Sequence, residues 1–304
     1  TNVDMEKADL RGAQLGKNSG GTATTLTGAT LSGANLGKNG STVTDLSDAI
    51  LTNAKLIKAD LTGADLSRAN LTGTDLTGAD LTGATLLTNT FSATTNLTSA
   101  ILTDVAGMAG RDMTGVDLEK ADLRGANLAL TDLEDAILTG ANLTNGASAT
   151  DLQGATLTNA KLIKADLTGA DLGKNATGNV KTNLTGADLT GAILKNAQMD
   201  DVNLTGANLT KADLTGATLT GITIDGASTN FTSAILVGAN LEGDILTNVD
   251  MEKADLRGAQ LGKNAAGNAT NLTGATLTGA NLGKNGSTAT NLTGATLTNA
   301  KLIK

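Results

Sequence analysis

Ala59-Asp60-Leu61-Thr62-Gly63-Ala64-Asp65-Leu66-Ser67-Arg68-Ala69-Asn70-Leu71 is one short phrase said over again, and its period is five. Leucine stands at every fifth residue, alanine two places before it, Asp, Asn, Thr or Lys one place before it, and usually Thr-Gly after it. The phrase returns at Ala165-Asp166-Leu167-Thr168-Gly169-Ala170-Asp171-Leu172 and runs along nearly all of the 304 residues. A period of five fits neither the 3.6 of a helix nor the 2 of a strand, so these apolar positions line one face of neither element. They line the inside of a four-sided coil.

Size and turn chemistry give that coil its form. A corner every five residues closes a square of about twenty residues, with each Leu and Ala pointing to the axis. Alternating large and small side chains fill a narrow core with no room for an aromatic ring. Composition agrees: Trp and Tyr are absent, and Phe91 and Phe231 are the only aromatics. Glycine after threonine accepts corner angles, and Asn or Asp beside it can bond its own backbone. Coils stacked about 4.8 Å apart would satisfy their backbone groups through the coils above and below. The core set includes Leu10, Leu61, Leu66, Leu123, Leu167, Leu209 and Leu256, with Ala59, Ala64 and Ala165. Met5, Phe91, Met113, Met199, Ile224, Phe231 and Met251 replace the central Leu, and all are apolar.

The motif Ala-(Asp/Asn)-Leu-X-X, as in Ala121-Asp122-Leu123-Arg124-Gly125 and Ala207-Asn208-Leu209-Thr210-Lys211, resembles the pentapeptide-repeat proteins over about nine tenths of the chain. The resemblance implies an all-β fold, a right-handed quadrilateral β-helix. On the size of the square, residues 1–304 form a single continuous solenoid of about 13 to 15 coils with surface loop insertions. The resemblance implies little about function, because in this family the repeat residues build the scaffold.

Interruptions are more individual. Gly16-Lys17-Asn18-Ser19-Gly20-Gly21-Thr22-Ala23-Thr24-Thr25 separates Leu15 from Leu26, and long gaps also follow Leu36, Leu102, Leu143, Leu172, Leu261 and Leu282. They read as surface loops or as one degenerate side of a coil. A Gly-Lys-Asn tripeptide opens five of them, with its lysine at Lys17, Lys38, Lys174, Lys263 and Lys284. The Gly-x-x-x-x-Gly-Lys-Ser/Thr order of a phosphate loop is missing, so the tripeptide reads as a turn.

A longer period sits above the first. Residues 1–58 return as 247–304, identical at 48 of 58 positions, and Thr1–Leu10 reappears unchanged from Thr247 to Leu256. If each of five long gaps takes two sides of a coil, the 246-residue offset is twelve full coils. Neither end carries the polar cap that solenoids use, so the sequence reads as a window onto a longer array or as a subunit that stacks on neighbours.

Composition narrows the function classes. With 22 basic and 30 acidic residues the net charge is −8, against nonspecific binding to nucleic acid or an anionic membrane. No apolar stretch is long enough to span a membrane and no leader is visible. With neither His nor Cys, no transition-metal, haem or other cofactor site is expected. Asp9, Asp60, Asp65 and Asp122 recur at the outward position before Leu and read as a solvated face, so no catalytic residue and no small-molecule ligand is assigned. Arg111-Asp112 reads as a local ion pair.

The reading that follows is a non-enzymatic structural element of an extracellular or cell-surface filament, sheath or stalk, whose partner is itself, end to end or side by side. The near-verbatim superrepeat favours it. The alternative, drawn from the resemblance, is a cytoplasmic acidic DNA mimic acting on a type II topoisomerase; members with that role usually end in a dimerising helix, which nothing here resembles. A third reading is a Thr-rich ice- or surface-binding solenoid, although Thr stands on all sides.

Overall fold

A computed structural model describes residues 3–17, 20–145, 148–225, 228–278, 280–282, 284–285 and 288–289. It has no helix among them. The chain divides into two compact units, Thr1–Thr150 and Asp151–Lys304.

The residue before each central Leu carries the pairing. In the first unit Asp4, Thr30, Lys55, Asp75, Asn96, Asp117 and Ile137 form one column of parallel bridges; in the second, Lys161, Asp188, Asn208, Asn230, Asp250 and Thr276 form another. Steps of twenty, as from Asp60 to Asp80, are four units of five. One unit shows the wiring. Asp60 N–H donates to the Ala34 carbonyl at 3.0 Å in the coil before, Leu61 N–H to Asp80 at 2.7 Å and Gly63 N–H to Thr82 at 2.9 Å in the coil after. Ala64 N–H closes the corner on the Leu61 carbonyl at 2.9 Å. Backbone demand is thus met by neighbours rather than by long strands. β1 (Lys284–Asn285) and β2 (Thr288–Ala289) pair antiparallel, Lys284 opposite Ala289.

Each corner needs a left-handed residue at its third position, as a type II turn does. Gly63 (φ 63) and Gly78 (φ 64) supply it at no steric cost, but so do Lys58 (φ 55), Arg68 (φ 61) and even the β-branched Thr88 (φ 55). Side chain and glycine meet at corners of successive coils: a Cβ on Gly186 would lie 2.5 Å from Asn159 Oδ1, and one on Gly216 2.5 Å from Asn196 Oδ1. Glycine therefore makes room for the side chain of the coil before, a second use beyond its φ angle.

Leu61, Leu66, Leu123, Leu167, Leu209 and Leu256 are fully buried, as are Ala59, Ala64 and Ala165. Leu10 is only half-buried, a departure from the core expected of it, because its coil packs against residues 30–45 on one edge and meets no described residue on the other. Among the substitutes for leucine, Met113, Met199, Phe231 and Met251 are fully buried, while Met5 and Ile224 are half-buried.

The core also admits aromatic rings, contrary to the expectation that it has no room. Phe231 is its largest fully buried side chain and Phe91 is 8% exposed. Phe231 N–H pairs with the Asp250 carbonyl, which sets Met251 at the same position one coil on. A Cβ on Gly115 would meet that of Ala93, which stacks the Met113 turn on the Phe91 turn. An unbranched Met beside each ring adapts to the space the ring leaves.

Loops take fewer sides than expected. Gln14 and Thr25 flank the first loop but pair with Asp45 and Ile50, which are successive units, so this loop occupies one side, not two. Asn35 and Asp45 pair likewise with Asp60 and Asp65, and Asp171 and Asn183 with Gln198 and Asn203. Thr150 bonds the Leu123 carbonyl, which makes the gap after Leu143 one side as well. The twelve-coil count fails by these four sides, one whole coil, so the superrepeat offset remains a multiple of four sides. The gap after Leu102 is different: Gly107 stands where Leu would, and the neighbouring Met108 is buried in its place.

Candidate functional surface

The polar residues at the corners are first of all structural. Asp60 Oδ1 accepts the Thr62 N–H at 2.9 Å, and the same bond recurs at Asp65–Ser67 (2.8 Å) and Asp80–Thr82 (2.9 Å). At many corners where threonine follows leucine its hydroxyl donates to the same oxygen, as in Thr82–Asp80 and Thr168–Asp166, both 2.6 Å. This is an Asx turn, which explains why Asp or Asn precedes Leu and why Thr follows it. On one face of the second unit these groups join into a ladder: Asn203 Nδ2 donates to Asn183 Oδ1 at 3.2 Å and to Thr185 Oγ1 at 3.0 Å. The hydroxyls of these threonines are thus committed to the corners.

Three outward carboxylates with an arginine two residues on are pulled below their ordinary range by it. Arg11 holds Asp9 down to about 2, by side-chain and backbone hydrogen bonds. Arg124 and Arg257 depress Asp122 and Asp255 chiefly through side-chain hydrogen bonds. Asp60 and Asp65 sit at matching places in their corners, each accepting the N–H two residues on. A groove lined by Glu6, Lys7, Ser32, Gly33, Ile57 and Lys58 runs beside one corner column. Among the described residues no three metal-ligating side chains converge, and no helix is long and apolar enough to cross a membrane.

The Gly-Lys-Asn loops are built as latches. Thr24 Oγ1 donates to the Gly16 carbonyl at 2.7 Å, Thr44 to Gly37 at 2.6 Å, Thr182 to Gly173 at 2.8 Å and Thr270 to Gly262 at 2.9 Å. A threonine at the inward alanine position closes each loop on the glycine that opens it. A Cβ on Gly16 would come within 2.7 Å of Asp45 Oδ1, so glycine is demanded by space. Lys17 reaches Asp48 at 3.6 Å and Lys174 reaches Asp201 at 2.9 Å; the side chain of Lys284 lies outside the described residues. Arg111 does not pair with Asp112: its Nε donates to the Ala109 carbonyl at 3.3 Å, and Asp112 takes the Thr114 N–H.

The inward threonines recur as a signal that sequence reading passed over. Thr182 accepts the N–H of Gly154 at 2.8 Å, and its one hydroxyl hydrogen is shared between the Gly173 carbonyl and that of Leu152 at 2.9 Å; Thr270 does the same with Gly243, Gly262 and Leu241, while Thr229 accepts from Gly206 and donates to Leu204 alone. Hydroxyl donor and acceptor are both used, so the group is buried without cost. One inward position departs from this chemistry. Asp244 stands there, 2% exposed, and burial pushes its carboxyl up to about 7.

A family model described as pentapeptide repeats matches residues 44–83, 112–145, 147–174, 182–221 and 227–261, more than half of the chain. No curated protein matches significantly. Among solved structures, HetL, a pentapeptide repeat protein involved in heterocyst differentiation regulation from the cyanobacterium Nostoc sp. strain PCC 7120, is 27% identical, covers 99% of this chain and 87% of its own, with a TM-score of 0.23. QnrB1, a plasmid-mediated fluoroquinolone resistance protein, is 16% identical over 90% of this chain and 92% of its own, TM-score 0.23. A pentapeptide repeat protein from the thylakoid lumen of Arabidopsis thaliana is 28% identical over 47% of this chain and 69% of its own, TM-score 0.14. The chain belongs to the pentapeptide-repeat family, whose members fold as right-handed quadrilateral β-helices.

Proposed function

We propose that the chain is a structural, non-catalytic solenoid, part of an extracellular or cell-surface filament, sheath or stalk, that adds copies of itself along the coil axis. One observation carries this reading. The sequence Thr1–Asn18 is the same as Thr247–Asn264. In the later copy Asp250, Asp255 and Gln260 pair with Asn230, Ile235 and Asn240 of the coil before. The edge bearing Asp4, Asp9 and Gln14 thus has the sequence of an edge that accepts a coil. Backbone pairing over apolar Leu and Ala needs no other recognition chemistry, and head-to-tail addition of this kind repeats without closing.

Supporting the reading further, many corner hydroxyls and carboxylates are spent on turns and ion pairs, and a near-verbatim superrepeat suits an element whose demand is length and a uniform surface. The test is electron microscopy of the purified chain at rising concentration, beside a topoisomerase assay. Filaments that lengthen with concentration are expected. Short particles that stay monomeric and inhibit DNA supercoiling by a type II topoisomerase would overturn the reading in favour of the acidic DNA mimic that the net charge of −8 permits.

A further inference from the structure

Asp244 sits where the repeat places Ala or Thr, pointing to the axis. Its Oδ1 accepts the Gly221 N–H at 2.7 Å, the bond that Thr182, Thr229 and Thr270 each accept from a corner glycine in the coil before. Those threonines complete the motif by donating to the leucine carbonyl two residues before that glycine. The matching carbonyl for Asp244 is that of Leu219, which accepts no hydrogen bond from any described residue. The other carboxyl oxygen, Oδ2, is buried without a partner. A carboxylate has no hydrogen to give, whereas a carboxylic acid has one. An unpaired acceptor and an unpaired oxygen at the place of a threonine hydroxyl point to a missing proton between them.

The surrounding coil is also the weak place in its column. Parallel bridges run Asn183–Asn203–Thr223 and then resume at Ile245–Asn271, and among the described residues none joins Thr223 to Ile245. Ile245 is 66% exposed, and Ile224, next in the chain after Thr223, is half-buried.

We propose that Asp244 is a protonation latch: as a neutral acid it donates to the Leu219 carbonyl and holds the coil of residues 230–246 on the coil before, and on losing its proton it releases that seam along the unpaired Thr223–Ile245 side. Charges around it favour the neutral form. Asp200 and Asp201 face it from the earlier coil, Asp201 partly offset by Lys174 at 2.9 Å and Lys181 at 3.6 Å. Asp200 is held by the hydroxyls of Thr218 and Thr220. Glu242 and Asp225 are the charged residues of its own turn and of the adjoining loop, and Asn264 and Thr270 on the following coil are neutral. Desolvation is the largest cause of the raised carboxyl; the N–H groups of Gly221 and Ile222 pull the other way by favouring the carboxylate, and the charges of Asp200 and Asp201 rank behind both.

The sign follows. A carboxyl whose folded value is raised to about 7 favours the closed seam fully below its ordinary value of 3.8, loses that contribution as pH climbs to about 7, and changes nothing more above. Amide hydrogen exchange at Gly221 and Ile222, corrected for intrinsic rates, reads the opening. Between pH 5 and pH 7 the opening constant should rise about 50-fold and then level off. In Asp244→Thr, which restores the hydroxyl of the other coils, it should stay flat, as should the Gly63 amide of the unaltered chain. A flat profile in the unaltered chain, or the same rise in Asp244→Thr, would overturn the proposal. Should the variant misfold, carbon-13 titration of the Asp244 carboxyl decides alone: a midpoint near 7 supports the latch and one below 5 ends it.

Discussion

Residues 3–17 and 249–263 are the same sequence in two settings. Both make the same short-range contacts: Lys7 with Glu6 at 3.2 Å and Lys253 with Glu252 at 2.8 Å; Arg11 with Asp9 at 2.7 Å and Arg257 with Asp255 at 2.6 Å. Lys7 and Lys253 take the same left-handed corner, φ 56 and 58. What differs is burial. Met251, Ala254 and Leu256 are fully buried, while Met5, Ala8 and Leu10 are half-buried, and the Asp9 side chain is 60% exposed against 24% for Asp255. The later copy lies under a coil, residues 230–245, that the earlier one lacks among the described residues. Turn chemistry is thus local, and the core belongs to pairs of coils, as expected of an architecture whose repeats contact only their neighbours.

The comparison can be broken most directly at its core. Leu256→Asp places an unpaired charge between two coils and should cost about 4 kcal/mol, whereas Leu10→Asp should cost less than about 2 because water reaches it. Local hydrogen exchange of the two coils measures both, and equal costs would mean that the covering coil adds nothing. Next, Phe231→Ala removes the ring lying over Met251 and should cost about 3 to 4 kcal/mol by denaturant unfolding. A loss below about 1 would show that Met251 fills the space by itself.

Corner strain should be the same in both copies. Lys7→Gly and Lys253→Gly relieve a left-handed lysine, and each should stabilise by about 0.5 kcal/mol, the relief of roughly 1 being partly offset by the freedom glycine gains in the unfolded chain. Thermal unfolding of the two variants tests this, and opposite signs would refute a local origin. The smallest effect is electrostatic. Arg11 holds Asp9 at about 2, so its contribution is present above the ordinary carboxylate value and lost as pH falls towards 2. Carbon-13 titration should find that midpoint in the unaltered chain and return it towards 3.8 in Arg11→Ala, with Arg257→Ala moving Asp255 in the same direction.

Much of this molecule is local and so was open to reading from residues in order. The five-residue period, the inward Leu and Ala, the corner glycines and the Asp or Asn beside them each depend on groups within three or four positions. The candidate surface was less legible. An arginine next to an aspartate looks like an ion pair, yet Arg111 turns to the Ala109 carbonyl while Arg11, two residues from Asp9, does form one. The two Phe-Met pairs, Phe91 with Met113 and Phe231 with Met251, stand in the sequence a coil apart but mean something only once coils are stacked.

By itself the sequence determined the five-residue turn, which residues face inward and the Asx-turn corners, because those rest on hydrogen bonds and sterics within a few residues, such as Ala64 N–H on the Leu61 carbonyl and Thr62 N–H on Asp60. Tertiary structure alone decided that each Gly-Lys-Asn loop with described partners takes a single side and that aromatic rings fit where methionine adjoins them. It also decided that Leu10 and Leu256 differ in burial, and that Asp244, one aspartate among many in the chain, faces the core with an oxygen unpaired. Each of these outcomes depends on which residue of the neighbouring coil lies opposite, and stacking settles that where sequence order does not.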